Sequence, residues 1–545
     1  MVTVVPAGAR PRRVAASTAL RGERLYLTLG TGALALAALS LLLPSTPSYD
    51  SWAWLIWGRE IVHLGLHTST GPSWKPLPVL FTTAFAPLGA AQPDLWLVVA
   101  RAGALMAVAM VFRLAYRVTR GLVSTGQTST GPAGWAGLGP ALLAGLVAAA
   151  SLINSGGFIV ENALGYSEGL AIALMLIAVE RFLDGARRQA FVAGFLACLD
   201  RPELWFVWVP FGAWLWWRDP GSRRLVLALF VLTPVPWFLP ELWGSGQLFR
   251  GVARAHHPNP GTPAFSHCPL CTVFDREAWP TLMRRVKLPA ILALALAAAG
   301  LWRARGSWWR ASRTPEATRA RLSLVALGAA GFLWWLGIAA ETQAGFAGNR
   351  RYLELGTALV AITGGVAWGW IASAAASVLG RLSLRPARSR RPRPAVALGA
   401  GLLGAVAVLV GAPPWIGRNM INLAAARHAL SYQAGLRSDL AAVLARSGGA
   451  GPLVGCGTVM TEAYQVPMVA WTLGLAPGRV KPPPSHLTGT PWPDVILQDR
   501  AHPGSALLPA PGQIAAWEHA GARYGLLART RSFTVYSTCT HRVGR

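Results

Sequence analysis

Charge is scarce in this 545-residue sequence, and one sign of it scarcer still: Asp, Glu, Lys and Arg make up 13%, with 22 acidic residues against 50 basic. Lysine is nearly missing, occurring only at Lys75, Lys287 and Lys481, so Arg carries almost all of the net charge of +28. So few charges cannot cover a water-exposed globule of this length, which excludes a single soluble core. What is abundant is apolar: 53% of residues are hydrophobic and the mean hydropathy is +0.41. A basic excess can signal nucleic acid, but here the Arg residues form short clusters between apolar runs, as the positive-inside rule of membrane proteins expects. The charge therefore reports topology, and no nucleic-acid partner is expected.

The expected fold is mainly α, a polytopic transmembrane bundle of roughly eleven helices with a small C-terminal α/β domain. Residues 1–25 form a basic N-terminus whose Arg10, Arg12, Arg13, Arg21 and Arg24 place it in the cytoplasm. The apolar run after Arg24 is long and lacks a small-residue cleavage site before Pro44, so the first helix is expected to remain as an anchor. Residues 26–411 are the membrane domain, with outer loops 45–94 and 241–287. The basic groups around Arg117, Arg187, Arg223, Arg310 and Arg381 then all fall on the cytoplasmic side. Within the first outer loop, Trp52 to Leu64 and Pro76 to Leu88 are too short to span and are expected at the interface. Residues 412–545 alternate short apolar strand candidates with helix candidates and form the extracytoplasmic domain. The expected location is a plasma membrane, crossed many times, with membrane lipids as neighbours.

Of five cysteines, Cys198 lies in a helix, while Cys268, Cys271, Cys456 and Cys539 fall outside the cytoplasm. An even number there favours two disulfides, Cys268 with Cys271 and Cys456 with Cys539. The alternative is a metal site, because His256, His257 and His267 accompany the CxxC, although the spacing specific to zinc is missing.

Candidate chemistry lies in charged residues at the outer ends of helices, since each costs free energy in lipid unless it lines a wet cavity. Asp50 follows the first helix and suits a general base, or equally a helix N-cap. Lys75 opens a short apolar helix, where a phosphate would be a natural partner, or where it would snorkel among headgroups. Glu161 and Glu168 are seven apart near the next outer turn and could bind a sugar hydroxyl or an acceptor, though Glu168 also suits a helix N-terminus. Arg201 and Glu203 flank Pro202 in a helix break, either as a bare ion pair or lining a cavity. Arg350 and Arg351, followed by Tyr352, break the positive-inside pattern; they suit bidentate phosphate binding, or salt bridges to Glu341 and Glu354.

Taken in order, Asp50 after the first helix, the Lys75-Pro-Leu-Pro segment, Arg101 heading a helix that ends in TyrArgValThrArg, then TyrSerGlu, ArgProGlu and ArgArgTyrLeu resemble the GT-C membrane glycosyltransferases over about residues 1–360. The closest likenesses are to protein O-mannosyltransferases and lipid A aminoarabinose transferases. The resemblance implies a GT-C-like bundle that moves a monosaccharide from a polyprenyl-phosphate donor to a hydroxyl acceptor outside the membrane, with inversion. Asp50 would be the base, Lys75 with Arg350 or Arg351 would hold the leaving phosphate, and Glu161, Glu168, Arg201, Glu203 and Tyr352 would bind substrate. Ser51 stands where the family has a second acidic residue, and Lys-Pro-Leu-Pro replaces Lys-Pro-Pro-Leu; no metal ligand or cofactor is assigned, and a divalent metal stays possible. The acceptor is an envelope glycan, lipid or protein, and the sugar plausibly mannose or arabinose, because the Arg, Ala, Gly and Pro bias resembles a GC-rich, actinobacterial genome. The alternatives are a transporter or lipid flippase, expected to carry inverted repeats and midplane charges, and a non-catalytic envelope assembly protein.

Overall fold

A computed structural model describes residues 10–123, 137–259, 261–308, 316–383, 422–484 and 491–541. The expected eleventh helix, most of the cluster from Arg381 to Arg393 and the first residues of the expected outer domain lie outside the described residues. The helices used below are α1 (Arg10–Leu39), α2 (Tyr49–Val62), α3 (Pro76–Phe85), α4 (Gln92–Val123), α5 (Leu138–Ile153), α6 (Phe158–Ala163), α7 (Glu168–Leu183), α8 (Arg187–Cys198), α9 (Trp205–Arg218), α10 (Arg223–Leu232) and α11 (Pro234–Ser245). They continue with α12 (Arg250–Ala255), α13 (Arg284–Trp308), α14 (Glu316–Gln343), α15 (Glu354–Ser383), α16 (Leu423–Arg446), α17 (Ala450–Cys456), α18 (Val466–Thr472) and α19 (Pro511–His519).

Among the described residues, 6 helical segments are long and apolar enough to cross a membrane: Arg24–Leu42, Pro76–Val123, Pro220–Ser245, Arg284–Arg305, Glu316–Gln343 and Arg350–Ser377. With the composition, they make this a multi-pass membrane protein. The sequence suggests more spans because α5, α7, α8 and α9 are also apolar, yet these run for only 16, 16, 12 and 14 residues. That is short of the roughly 20 needed to cross a bilayer alone. α5 and α7 are instead packed inside the bundle, where their shortness carries no penalty.

α15 is the central post. Its Gly364, Gly365 and Gly369 lie against Val286, Ala144 with Ala148, and Thr119 with Pro140. A Cβ at Gly365 would stand 2.3 Å from the Ala144 carbonyl oxygen, so α5 and α15 approach at a distance only glycine permits. The main apolar core, including Met110, Leu114, Ile172, Leu176, Leu324 and Ile362, joins α4, α7, α14 and α15.

The C-terminal domain holds a five-stranded sheet of order β2-β1-β3-β5-β4, made of β1 (Val459–Thr461), β2 (Val480–Lys481), β3 (Val495–Gln498), β4 (Gly525–Arg529) and β5 (Thr534–Ser537). β1 is parallel to both β2 and β3, and β5 is antiparallel to β3 and β4. Its core is continuous with that of α2: Trp52, Trp54, Leu55 and Trp57 pack in one cluster with Leu436, Leu440, Val469 and Val495. Arg59 donates to the Leu475 carbonyl at 3.0 Å, Arg437 pairs with Asp94 at 3.0 Å, and Trp52 and Trp471 are 5.9 Å apart. α2, expected to lie at the lipid interface, is therefore an inner layer between bundle and domain, with every residue from Asp50 to Gly58 buried. Its many Trp residues pack against protein on both sides.

Two disulfides are present, Cys268–Cys271 and Cys456–Cys539, with Cys198 free and buried. The second pins α17 to the second residue after β5. Among the described residues no group of three or more His, Cys, Asp or Glu is placed to hold a metal ion.

Candidate functional site

The first turn of α2 is fixed by backbone ties to the turn between α6 and α7. Ser48 N–H donates to the Leu164 carbonyl at 2.7 Å, Ser51 Oγ donates to the Gly165 carbonyl at 2.7 Å, and Trp96 Nε1 donates to the same carbonyl at 2.9 Å. Gly165 has φ +82°, and a Cβ there would meet Leu97 at 3.0 Å and Ser51 Oγ at 3.2 Å, so the turn needs glycine. Ser48 occupies the N-cap position, which leaves Asp50 free of a capping role. The Asp50 carboxylate instead accepts from Arg351 Nη2 at 2.8 Å, across 301 residues of chain.

Lys75 sits in extended conformation ahead of Pro76, and Leu77 N–H donates to the Leu199 carbonyl at 2.9 Å, which ties this segment to the break after α8. The Lys75 ammonium is nearly buried: it donates to Ser167 Oγ at 2.9 Å, reaches Glu168 Oε1 at 3.4 Å and Asp200 Oδ1 at 3.8 Å, and lies over the Trp54 ring at 5.4 Å. It is not a snorkelling surface lysine.

Glu168, the first residue of α7, is the hub. Its Oε1 faces Arg201 Nη2 at 2.6 Å, Lys75 Nζ at 3.4 Å and Arg351 Nε at 3.7 Å. Arg201 also reaches Glu203 at 3.6 Å and lies 4.5 Å over Tyr352, while Arg351 lies 4.2 Å over Tyr166. Stacking holds both guanidinium planes while their edges stay available for hydrogen bonds. Between them opens a small pocket, lined by Glu168, Arg201, Arg351, Tyr352 and Trp334 with apolar Ala171, Ile172 and Leu355. Two guanidiniums face it against one carboxylate, so it favours an anion with an apolar attachment.

Two expected residues stand at the margin. Glu161 is half-buried, its carboxyl beside Glu354 and Arg351; desolvation raises its carboxyl pKa, and the neighbouring Arg351 charge only partly opposes this. Arg350 points away: it pairs with Glu277 at 2.8 Å, is 44% exposed, and does not line the pocket. Neither Arg pairs with Glu341 or Glu354; their partners are Glu277, Asp50 and Glu168. Thus Asp50, Lys75, Glu168, Arg201, Glu203, Arg351 and Tyr352 come together, with Glu161 behind them and Arg350 outside.

Sequence reasoning missed Asp200, Ser167, Tyr166 and Trp334. Asp200 is fully buried, and its position directly before Arg201 and Pro202 in the same break was a signal for it. Tyr166 and Ser167 belong to the TyrSerGlu element, but their phenol and hydroxyl look ordinary without the fold. Burial raises the Tyr166 phenol's pKa, keeping it a neutral platform under Arg351.

A second polar cluster lies toward the other end of α4, where Glu180 accepts from Tyr26 at 2.7 Å, Arg113 at 2.8 Å and Arg117 at 3.1 Å, and Asp184 pairs with Arg117 and Arg181. Met110, Leu114, Ile172 and Leu176 separate it from the pocket.

No family model matches the sequence, and no curated protein matches it. Among solved structures, the crystal structure of ArnT from Cupriavidus metallidurans in the apo state matches over 96% of this chain and 98% of its own, with TM-score 0.43 and 14% identity. At that score and identity the likeness assigns neither an activity nor a residue role.

Proposed function

We propose that this chain is a membrane glycosyltransferase that moves a monosaccharide from a polyprenyl-phosphate donor to a hydroxyl acceptor on the extracytoplasmic side, with inversion. The observation that carries the reading is the Asp50–Arg351 contact of 2.8 Å in a site where Arg351, Arg201 and Lys75 all converge on Glu168. A base and a cationic phosphate site are thereby joined by one residue. In the reaction, Asp50 Oδ1 takes the acceptor proton as the acceptor oxygen bonds the anomeric carbon, and the bond from that carbon to the phosphate oxygen breaks. The leaving polyprenyl phosphate gains charge, which Arg351, Arg201 and Lys75 stabilise from fixed positions. The apolar lining from Ala171, Ile172, Trp334 and Leu355 suits the start of a polyprenyl chain. No step is assigned to a metal.

The sidedness rests on the Arg clusters of the sequence, which put the N-terminus in the cytoplasm and the C-terminal domain outside. A transporter or flippase would need a polar route through the bundle. The apolar layer between the pocket and the Glu180 cluster supports the enzyme over that reading. A non-catalytic assembly role would leave a closely packed set of charges with no substrate. The test is transfer from a synthetic polyprenyl-phosphate sugar by purified protein with Asp50→Ala alongside. Turnover retained in the variant would remove Asp50 as the base and the reading with it.

A further inference from the structure

We propose that the C-terminal domain supplies the acceptor subsite, an aromatic ledge of Tyr49, Tyr464 and His502 beside Asp50 that stacks the ring of a saccharide acceptor. The inference rests on the glycosyltransferase reading and names the acceptor class for it.

The ledge begins one residue from the proposed base. Tyr49 and Tyr464 meet edge to face with ring centroids 6.4 Å apart, and Tyr464 and His502 follow at 6.4 Å, so the three rings are successive neighbours beginning at the residue before Asp50. Tyr49 belongs to the first turn of α2, whereas Tyr464 and His502 follow the carboxyl ends of β1 and β3. Those two strands are parallel neighbours, and the chain leaves β1 toward β2 on one side and returns to β3 on the other. The crevice at such a reversal of strand order is where open α/β sheets bind ligands.

The loops that carry the rings are held more firmly than exposed side chains require. Tyr464 is 55% exposed, yet its N–H donates to the buried Glu462 carboxylate at 2.7 Å, and Glu462 N–H donates to the buried Asp499 carboxylate at 3.2 Å. Burial pushes both carboxyl pKa values up, so placing them there costs stability. The loop bearing His502 is closed at its neck by two backbone hydrogen bonds between Asp499 and Leu508, at 3.1 and 2.9 Å. It is also fastened to α16 by Tyr432 Oη donating to the Arg500 carbonyl at 2.9 Å and Gln433 Nε2 donating to the Ala501 carbonyl at 3.1 Å. Asp499 Oδ2 is buried without a hydrogen-bond partner. Among the described residues of this domain, only Leu423, Trp492 and Leu526 join Tyr464 as large exposed hydrophobics, so the exposure of Tyr464 is not the general lipid exposure seen around the bundle.

A saccharide fits this surface because its ring presents apolar C–H faces to aromatic rings and hydroxyls at its edge. Stacked on Tyr464, it would extend over Tyr49 and deliver a hydroxyl to Asp50. Flexible lipid tails have no use for rings spaced in this way.

The test uses the full chain in nanodiscs and two readouts. In saturation-transfer NMR with methyl α-mannopyranoside and methyl α-arabinofuranoside as probes, at least one glycoside receives saturation from the wild type. The Tyr464→Ala, His502→Ala double variant binds it at least about tenfold more weakly, the scale of losing two aromatic contacts, while Tyr464→Phe, which keeps the ring, retains binding. Hydrolysis of the polyprenyl-phosphate sugar by water, which needs no acceptor subsite, stays within about twofold of the wild type in the double variant. No saturation transfer to the wild type, or equal transfer to the double variant, overturns the inference, as does loss of binding in Tyr464→Phe. Absence of donor hydrolysis in the wild type would instead count against the glycosyltransferase reading, while the NMR result still decides the ledge.

Discussion

Adjacent residues Arg350 and Arg351 give the sharpest test of the site, because sequence treats them alike and the fold does not. Arg350 is half-exposed and pairs with Glu277 at 2.8 Å; a surface pair of this kind contributes about 1 kcal/mol or less. Arg350→Ala is therefore expected to leave transfer within a few-fold of wild type. Arg351 is nearly buried against Asp50 at 2.8 Å and Glu168 at 3.7 Å, with Tyr166 and Tyr352 under its guanidinium. If it stabilises the leaving phosphate, removing that donor should cost roughly 2.7–4 kcal/mol in the transition state, a fall of about 10² to 10³ in kcat. Arg351→Ala would also leave two buried carboxylates short of a partner, so stability could fall by roughly 3–5 kcal/mol and obscure the kinetic effect. Arg351→Lys is the cleaner variant: it keeps the positive charge, but a single ammonium cannot bridge Asp50 and the phosphate as a fork does. Measured on a polyprenyl-phosphate sugar, Arg351→Lys should show most of the loss of kcat seen in the Ala variant, at a melting temperature nearer the wild type. If Arg350→Ala and Arg351→Lys reduce kcat equally, or Arg351→Lys is within about threefold of wild type, the assignment of Arg351 to the leaving group is refuted.

Asp50→Asn should abolish transfer while keeping the hydrogen bond from Arg351, so thermal stability should change little as activity is lost; a folded and active Asn variant would deny the base. Lys75→Arg should lower activity although charge is kept, because the larger guanidinium must enter a buried space between Ser167, Glu168 and Asp200; kinetics and melting temperature of purified protein check it. In the C-terminal domain, the raised carboxyl pKa values of Asp499 and Glu462 give a sign for pH dependence. Their protonated forms favour the fold, so this contribution is fully present below the unfolded pKa of about 4 and is lost as pH rises through the folded values. Asp499→Asn should flatten the resulting decline in melting temperature above pH about 5. Reducing Cys456–Cys539, which closes a separation of 83 residues, should destabilise this domain by roughly 2–5 kcal/mol, measured by hydrogen exchange of β1 and β3 with and without reductant.

The long apolar helices were legible because twenty or so consecutive apolar residues have few alternatives in water. α5, α7, α8 and α9 were legible as helices but not as short ones, and α5 and α7 not as internal ones, because apolarity does not distinguish lipid from protein as a neighbour. The same ambiguity hid the setting of α2, whose Trp residues suit an interface yet pack beneath the sheet. Asp50, Lys75, Glu168, Arg201 and Arg351 were legible one by one as charges that lipid would penalise. The convergence of Lys75, Arg201 and Arg351 on one Glu168 oxygen, with Asp50 joined through Arg351, was not, since residues as far apart as 50 and 351 carry no local pattern linking them. Arg350 and Arg351 could not be separated because the 3-10 turn over Arg350–Leu353 sets which side chain points inward, and that geometry is invisible in a dipeptide.

The pocket's size bears on how a donor would sit in it. The enclosed space between the Arg201 and Arg351 guanidiniums is small, too little for sugar, phosphate and prenyl chain together. In the proposed reaction the two guanidiniums face the phosphate, so the sugar lies outward, toward Asp50. That division leaves the site preformed for the group that becomes more charged in the reaction and open for the group being transferred. The supports agree with it: Lys75 is bonded to Ser167, Arg201 and Arg351 rest on tyrosine rings, and the Asp50 turn is sewn to Gly165. Cations fixed in this way need no reorganisation when the leaving charge develops, which is the condition under which electrostatic stabilisation of a phosphate is most effective. Gly165→Ala, which touches no proposed substrate, should therefore lower kcat by shifting the first turn of α2, and kcat unchanged in a folded variant would mean that this turn is not what positions the base.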